Sequence, residues 1–181
     1  MKGLILPYRN YVPVVAADAF LAPGSVVIGN VEIGAESSIW FNAVIRGDVQ
    51  EVKIGERTNL QDGCVVHVTT DGHATYIGSD VTVGHNAIVH ACTIEDGVLI
   101  GMAATVMDGV VVEQGAMVAA GALVTYGKRV RARELWAGSP ARCVRKVTDE
   151  EREQIDLSAR NYVKLAQEYR EALAKCLTPG P

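Results

Sequence analysis

The chain has 181 residues, a formal net charge of −4 and a pI near 5.6. That length suits one domain, or one domain with an appendage, and is enough to bury a core. The acidic balance argues against nucleic acid or an anionic membrane as the main partner.

No apolar run reaches the length of a membrane span, and the opening MKGLILPYRN is too short and too polar for a signal peptide. A cytoplasmic protein is therefore expected. Cys64, Cys92, Cys143 and Cys176 form no CxxC pair and no disulfide-like framework, which fits reduced thiols. Aromatic residues are few and glycine is plentiful, so the core must come from Val, Ile and Leu on a turn-rich backbone.

From Leu21 onward every sixth residue is aliphatic: Leu21, Val27, Ile33, Ile39 and Ile45. After a slip of three residues the register resumes at Ile54, Leu60 and Val66. After a slip of five it resumes at Ile77, Val83 and Val89. One residue is then dropped, and Ile94, Ile100, Val106, Val112, Val118, Val124 and Val130 follow. A six-residue aliphatic period predicts an all-β solenoid, a parallel β-helix of hexapeptide repeats. Three sides of six residues make a coil of eighteen, each coil lying on the last at a strand spacing of about 4.8 Å. Small residues stand two before the aliphatic position (Ser37, Ala43, Ala87, Ala104, Ala116, Ala122), where a tight corner has little room. Cys64 and Cys92 stand at the same place, which predicts buried fillers.

The repeat fades near WAGSPARCVRK, and TDEE (148–151) then reads as a capping box with Thr148 as cap and Glu151 three positions on. The helix it opens carries one apolar stripe, Ile155, Ala159, Tyr162, Ala166, Tyr169 and Leu173, expected to lie along the prism or on a neighbouring subunit. The chain thus divides into a β-helix with its lead-in (1–147), a helix (148–175) and a tail (176–181).

Counting from the aliphatic positions places the histidines. His67 is one past Val66 and His90 one past Val89, 23 residues on, which is one coil plus the five inserted residues. Arg46, one past Ile45, joins the same column once the three-residue slip is allowed for. His85, two past Val83, lies on the preceding side, one coil along from Asp62, which is two past Leu60. Three imidazoles with an open fourth position suit catalytic zinc, yet these three cannot easily surround one metal within one chain. Two protomers packed side against side could bring them together. Asn59, Gln61, Asp62 and Asp48 are candidates for orienting the ligands and bound water.

VIRGD (44–48), TNLQDGCVVH (58–67) and VGHNAIVH (83–90) resemble the γ-class carbonic anhydrase family, trimeric left-handed β-helix proteins, over about residues 10 to 170. The resemblance implies left-handed coils. It implies that His67 and His90 of one protomer, with His85 of the next, bind zinc or another divalent metal such as Fe2+ or Co2+. It further implies that Arg46 and Asp48 pair across the interface, and that Gln61, Asp62 and Asn59 position the metal-bound water. Tyr162, in ARNYV, matches a tyrosine the family places near the site. Two departures stand out. The archetype's acidic loop, with its proton-shuttling glutamate, is replaced by TTDGHATY, which offers Asp71 and His73, of which His73 is expected to be simply solvated. Its acidic residue beside the Arg-Gly-Asp motif is replaced by Val49. The sequence is most similar to the shorter bacterial branch of the family.

The resemblance implies a zinc-dependent lyase in which metal-bound hydroxide attacks carbon dioxide, slowed by the missing acidic loop. A hexapeptide acyltransferase or coenzyme A thioester enzyme is the second reading, although it needs one general-base histidine rather than three in register. GSPAR (138–142) is common to such transferases and does not discriminate. A non-catalytic, metal-stabilised homotrimer is the third.

Overall fold

A computed structural model of the chain describes residues 3–176. The chain winds as a parallel β-solenoid of about seven turns, carried by three stacks of short strands. One stack runs through the start of Val26–Ile33, the start of Val44–Ile54, then Val65–His67, Ile88–His90, Thr105–Val106 and Leu123–Val124. It is called here the histidine face. The second continues from the ends of the two long strands through Thr75–Ile77, Thr93–Ile94, Val111–Val112 and Arg129–Val130. The third, the helix face, stacks Phe20–Leu21, Ser38–Ile39, Asn59–Leu60, Thr82–Val83, Leu99–Ile100 and Met117–Val118.

The stack forms because each coil answers the backbone hydrogen bonds of the next while the aliphatic position points inward. Every aliphatic residue of the six-residue period is buried except Leu21, which is half-buried. The small corner residues are buried with them, as are Cys64 and Cys92. Each such Val, Ile or Leu contributes about 1.5–3 kcal/mol on burial.

The coil keeps to its period at every corner but one. Ile45 pairs with Val66, Val66 with Val89 and Val89 with Val106, so the coil lengths there are 21, 23 and 17 residues. All three irregularities fall where the histidine face turns into the second face. The first is a register shift between Gly29 and Val31, opposite which Val44–Ile54 carries the extra residues. The second is the loop between His67 and Thr75, and the third the shortened turn at Ala91, which has φ 47°. Gly47 is required beside the first, because a Cβ there would lie 2.4 Å from the Asn30 carbonyl oxygen.

Where the sequence repeat fades, the structure has a hairpin. Glu134–Gly138 continues the helix face in parallel, with Trp136 opposite Val118, and then turns back antiparallel onto Ala141–Lys146. That reversal ends the winding.

The helix runs over Asp149–Cys176 and takes in the first residue of the predicted tail; 177–181 lie outside the described residues. Its capping box is reciprocal: Glu151 N–H donates to Thr148 Oγ1 at 3.2 Å, and Thr148 N–H donates to the Glu151 carboxylate at 2.9 Å. The stripe packs on the chain's own helix face. Ile155, Ala159 and Ala166 are buried, and Tyr162 and Tyr169 join Phe20, Trp40 and Phe41 in an aromatic cluster. Arg152 ties the first turns down by donating to the Gly97 carbonyl at 2.9 Å.

The Arg145 guanidinium, followed by the Thr148 amide, holds the Glu151 carboxyl down to about 2, against 4.5 for a free glutamate. A depressed carboxylate stabilises the fold above its unfolded pKa and ceases to do so as pH falls through its folded value. Glu151→Gln is therefore expected to lower the thermal midpoint at neutral pH. The gap from wild type should close as pH falls from 4.5 to about 2. Melts at several pH values check this; a gap constant across that window contradicts it.

Candidate metal centre

The irregular corner gathers two imidazoles and two carboxylates. His67 and His90, each the last residue of its strand, stand directly opposite in the register. Their rings meet, with His67 Nδ1 3.1 Å from His90 Nε2. The outer nitrogen of each ring faces a carboxylate: His67 Nε2 lies 3.0 Å from Asp48 Oδ1, and His90 Nδ1 lies 2.7 Å from Asp108 Oδ1. Asp48 also pairs with Arg46, two residues back on the same strand, and the second oxygen of Asp108 accepts from Thr69 Oγ1. Thr75 Oγ1 donates to the His67 carbonyl at 2.6 Å and anchors the strand end. Burial alone would raise both carboxyls; the bonds from His67 and Arg46 hold Asp48 below its ordinary value, and those from Thr69 and His90 do so for Asp108.

Counting protons along this array shows what it lacks. A neutral imidazole carries one N–H. If each ring spends it on its carboxylate, the two inner nitrogens present lone pairs to one another and repel. Only a cation between them, a proton or a metal ion, relieves that. Zinc–nitrogen bonds of about 2.0–2.1 Å at near-tetrahedral angles place two ligating nitrogens roughly 3.3 Å apart. The observed 3.1 Å separation fits two ligands of such an ion.

His85 is held apart. It follows the strand Thr82–Val83, at the corner where the helix face turns into the histidine face, and its Nδ1 lies 2.8 Å from Asp62 Oδ2. The strand Ile88–His90 separates that corner from the other histidines, a span on the order of 10 Å. Among the described residues no three His, Cys, Asp or Glu side chains converge on a metal-sized point.

Around the His85 corner lie the other sequence candidates. Asn59 and Gln61 are buried in series: Gln61 Nε2 donates to Asn59 Oδ1 at 3.2 Å, and Asn59 Nδ2 to Thr82 Oγ1 at 2.9 Å. Tyr162 packs edge-on against Trp40 at 5.3 Å. Its hydroxyl is pushed up first by burial and then by the Asp62 charge. The candidates thus form two groups on opposite edges of the histidine face. Arg46 and Asp48 pair within the chain. Val49 packs against the core, and His73, on the exposed loop, lies over Gly109.

Asp108 and Thr69 were not singled out in the sequence. Counting one past the aliphatic residue on the next coil reaches Met107, because that coil is a residue short; Asp108 is two past Val106 and so falls outside the column. Thr69 is brought there by a loop whose path no periodicity describes.

The fold and its stacked columns define the class of hexapeptide-repeat β-solenoid proteins. The profile described as "Bacterial transferase hexapeptide (six repeats)" matches residues 13–47. A crystal structure of a hexapeptide transferase family protein from Anaplasma phagocytophilum superimposes with a TM-score of 0.88 at 45% identity, covering 93% of this chain and 99% of that one. Within the class, the chain belongs to the γ-carbonic anhydrase-like family. It is 55% identical to the "Probable carbonic anhydrase" of Methanocaldococcus jannaschii over 81% of this chain and 92% of that one. It is 51% identical over 91% of its length to "Gamma carbonic anhydrase 1, mitochondrial" of Arabidopsis thaliana, of which it spans 62%. With Escherichia coli "Protein YrdA" it shares 46% identity over 93% of this chain and 95% of that one.

The cysteines stand outside this chemistry. Burial pushes the thiols of Cys64 and Cys92 up to about 12, whereas Cys143 is exposed. Of these three, only Cys143 is expected to react with iodoacetamide in the native protein near neutral pH, and all three after unfolding. Peptide mass mapping checks this; native labelling of Cys64 or Cys92 contradicts it.

Proposed function

We propose that the chain is a γ-carbonic anhydrase-type lyase. In this reading it is a homotrimer that holds one divalent metal, zinc or in its place Fe2+ or Co2+, at each subunit interface, and interconverts carbon dioxide and bicarbonate. The observation that carries it is the facing pair His67 and His90, each with its outer nitrogen on a carboxylate and its inner nitrogen turned toward the other. Two ligands alone leave the coordination shell incomplete. His85, at the opposite edge of the face and held by Asp62, supplies a third to the pair of the neighbouring protomer. Membership of a family with members named carbonic anhydrase supports the same reading.

A metal bound there supplies the acidity that makes water a nucleophile near neutral pH, chemistry for which carbonic anhydrases are the general reference case. The rest falls to the chain's own side chains. Asp48 and Asp108 keep the ring nitrogens of His67 and His90 available. Asn59 fixes the Gln61 carboxamide, which orients water and substrate. Arg46 places a half-exposed positive charge beside the pair, suited to bicarbonate. Tyr162, kept protonated by its burial, remains a hydrogen-bond donor.

Hydration releases a proton at each turnover, and the loop after His67 offers only Asp71 and His73, both exposed, as side chains to carry it away. No helix among the described residues is long and apolar enough to cross a membrane, and the reduced-thiol pattern suits the cytoplasm, although the Arabidopsis relative is named mitochondrial.

The acyltransferase reading draws on the names of the hexapeptide profile and the Anaplasma structure. The profile's 13–47 span contains no histidine, so its match reflects the coil alone. Retention on a coenzyme A resin by a metal-free sample favours the transferase; stoichiometric metal with hydration activity favours the lyase. Full metal without activity leaves the assembly subunit.

Two outcomes test the proposal directly. Hydration is expected to be slow and to rise with the concentration of an imidazole-type buffer that exports the proton. Fast turnover independent of buffer contradicts this. In the second, His67→Ala and His85→Ala are each metal-free and inactive alone, yet refolding them together restores metal at about one interface in three of the mixed trimers. Mixing His67→Ala with His90→Ala restores none. Recovery in that second mixture, or none in the first with mixed trimers established by mass, assigns the sides differently.

A further inference from the structure

We infer that Asp108 is the positioning residue that sets the tautomer of His90, and that Thr69, on the inserted loop, is what keeps Asp108 in place. An unconstrained imidazole in water favours the Nε2–H tautomer. In His90 that proton would point at His67 and block the nitrogen that faces it. A carboxylate oxygen 2.7 Å from Nδ1 reverses the preference, because it accepts a bond only from Nδ1–H.

The carboxylate is in turn fixed from two directions. Its other oxygen accepts the Thr69 hydroxyl, so neither oxygen is left to rotate toward solvent. The backbone of its corner is tied to the corner of His90, the Gly109 amide donating to the Ala91 carbonyl at 2.8 Å. Gly109 has φ +68°, and a Cβ there would come within 3.2 Å of the His73 ring. The turn is therefore closed under the same loop that carries Thr69. Thr69 and Asp108 are 39 residues apart in the chain. The five extra residues after His67 return the loop over the column, and this contact is a structural reason for their presence.

Asp48 faces His67 in the corresponding way, but it is shared with Arg46. The other groups on Asp108, the Thr69 hydroxyl and its own backbone amide, are neutral, so its charge acts on His90 without a competing cation among the contacts the structure gives it. The consequence for metal uptake rests on the reading above; the tautomer does not.

The test joins two measurements. Long-range proton–nitrogen correlation spectra of the metal-free protein are expected to show a proton on His90 Nδ1. They should show it shifted to Nε2–H in Asp108→Ala and mixed in Thr69→Val. Asp108→Asn, whose amide oxygen accepts the same bond, should retain Nδ1–H. Competition with a chelator should then show zinc held about 10–100-fold more weakly by Asp108→Ala, the cost usual for losing such a partner, with Asp108→Asn and Thr69→Val between it and wild type. Should Asp108→Ala fail to fold, Thr69→Val and Asp108→Asn carry both measurements. A wild-type His90 with no proton on Nδ1, or zinc held equally by a folded Asp108→Ala, overturns the assignment. A wild-type chain that takes up no zinc overturns the metal reading instead, and the spectra then decide the role of Asp108 by themselves.

Discussion

Everything in this molecule depends on one spacing. Coils stacked at strand distance place residues one turn apart in the chain roughly 4.8 Å apart in space, whatever separates them in sequence. The stack exists because the inward aliphatic column has no other way to leave water and each strand's polar groups have no other way to be satisfied. Once it exists, a polar side chain at a fixed offset from the aliphatic position meets its counterpart on the next coil. His67 and His90 face each other for that reason alone.

The deviations from that spacing are as informative as its regularity. The period is kept along the buried columns and at the other corners, and it is broken three times at the single corner bearing Asp48, His67, His90 and Asp108. A strictly regular coil projects each outer residue straight away from the prism, where side chains on one column touch only their immediate neighbours. The bulge in Val44–Ile54 brings Asp48 against His67. The loop after His67 brings Thr69 onto Asp108, and the shortened turn at Ala91 lets Asp108 meet His90 from the coil beyond. Foldable sequences are locally consistent, and where they depart from consistency a function usually compensates. Here the departures assemble the only array of facing imidazoles and carboxylates among the described residues.

This also explains what the sequence made legible. The aliphatic columns and the one-past-aliphatic position of both histidines follow from counting, because the solenoid turns sequence distance into spatial distance almost linearly. The capping box and helical stripe were equally plain, since both are local. The side chains that meet through a loop or hairpin were not. Thr69 on Asp108 and Trp136 opposite Cys143 depend on how an irregular segment folds back, and no period encodes that. The handedness of the coil came only from the resemblance, because an aliphatic period is the same in either hand.

The division of the candidate residues between two edges of one face has a chemical logic. A chain that placed three imidazoles together in the free subunit would have to keep three lone pairs converged with nothing between them. By keeping two on one edge and the third against Asp62 on the other, each chain would, on the proposed reading, carry an incomplete site, with the repulsion in the free subunit confined to one nitrogen pair that a proton can bridge. If the site is shared between subunits as proposed, completing the shell is linked to association. A metal that binds only the assembled interface stabilises that interface by mass action, and the interface raises the affinity for the metal by supplying the third donor. The two equilibria would then be one, since linkage requires that each strengthen the other equally.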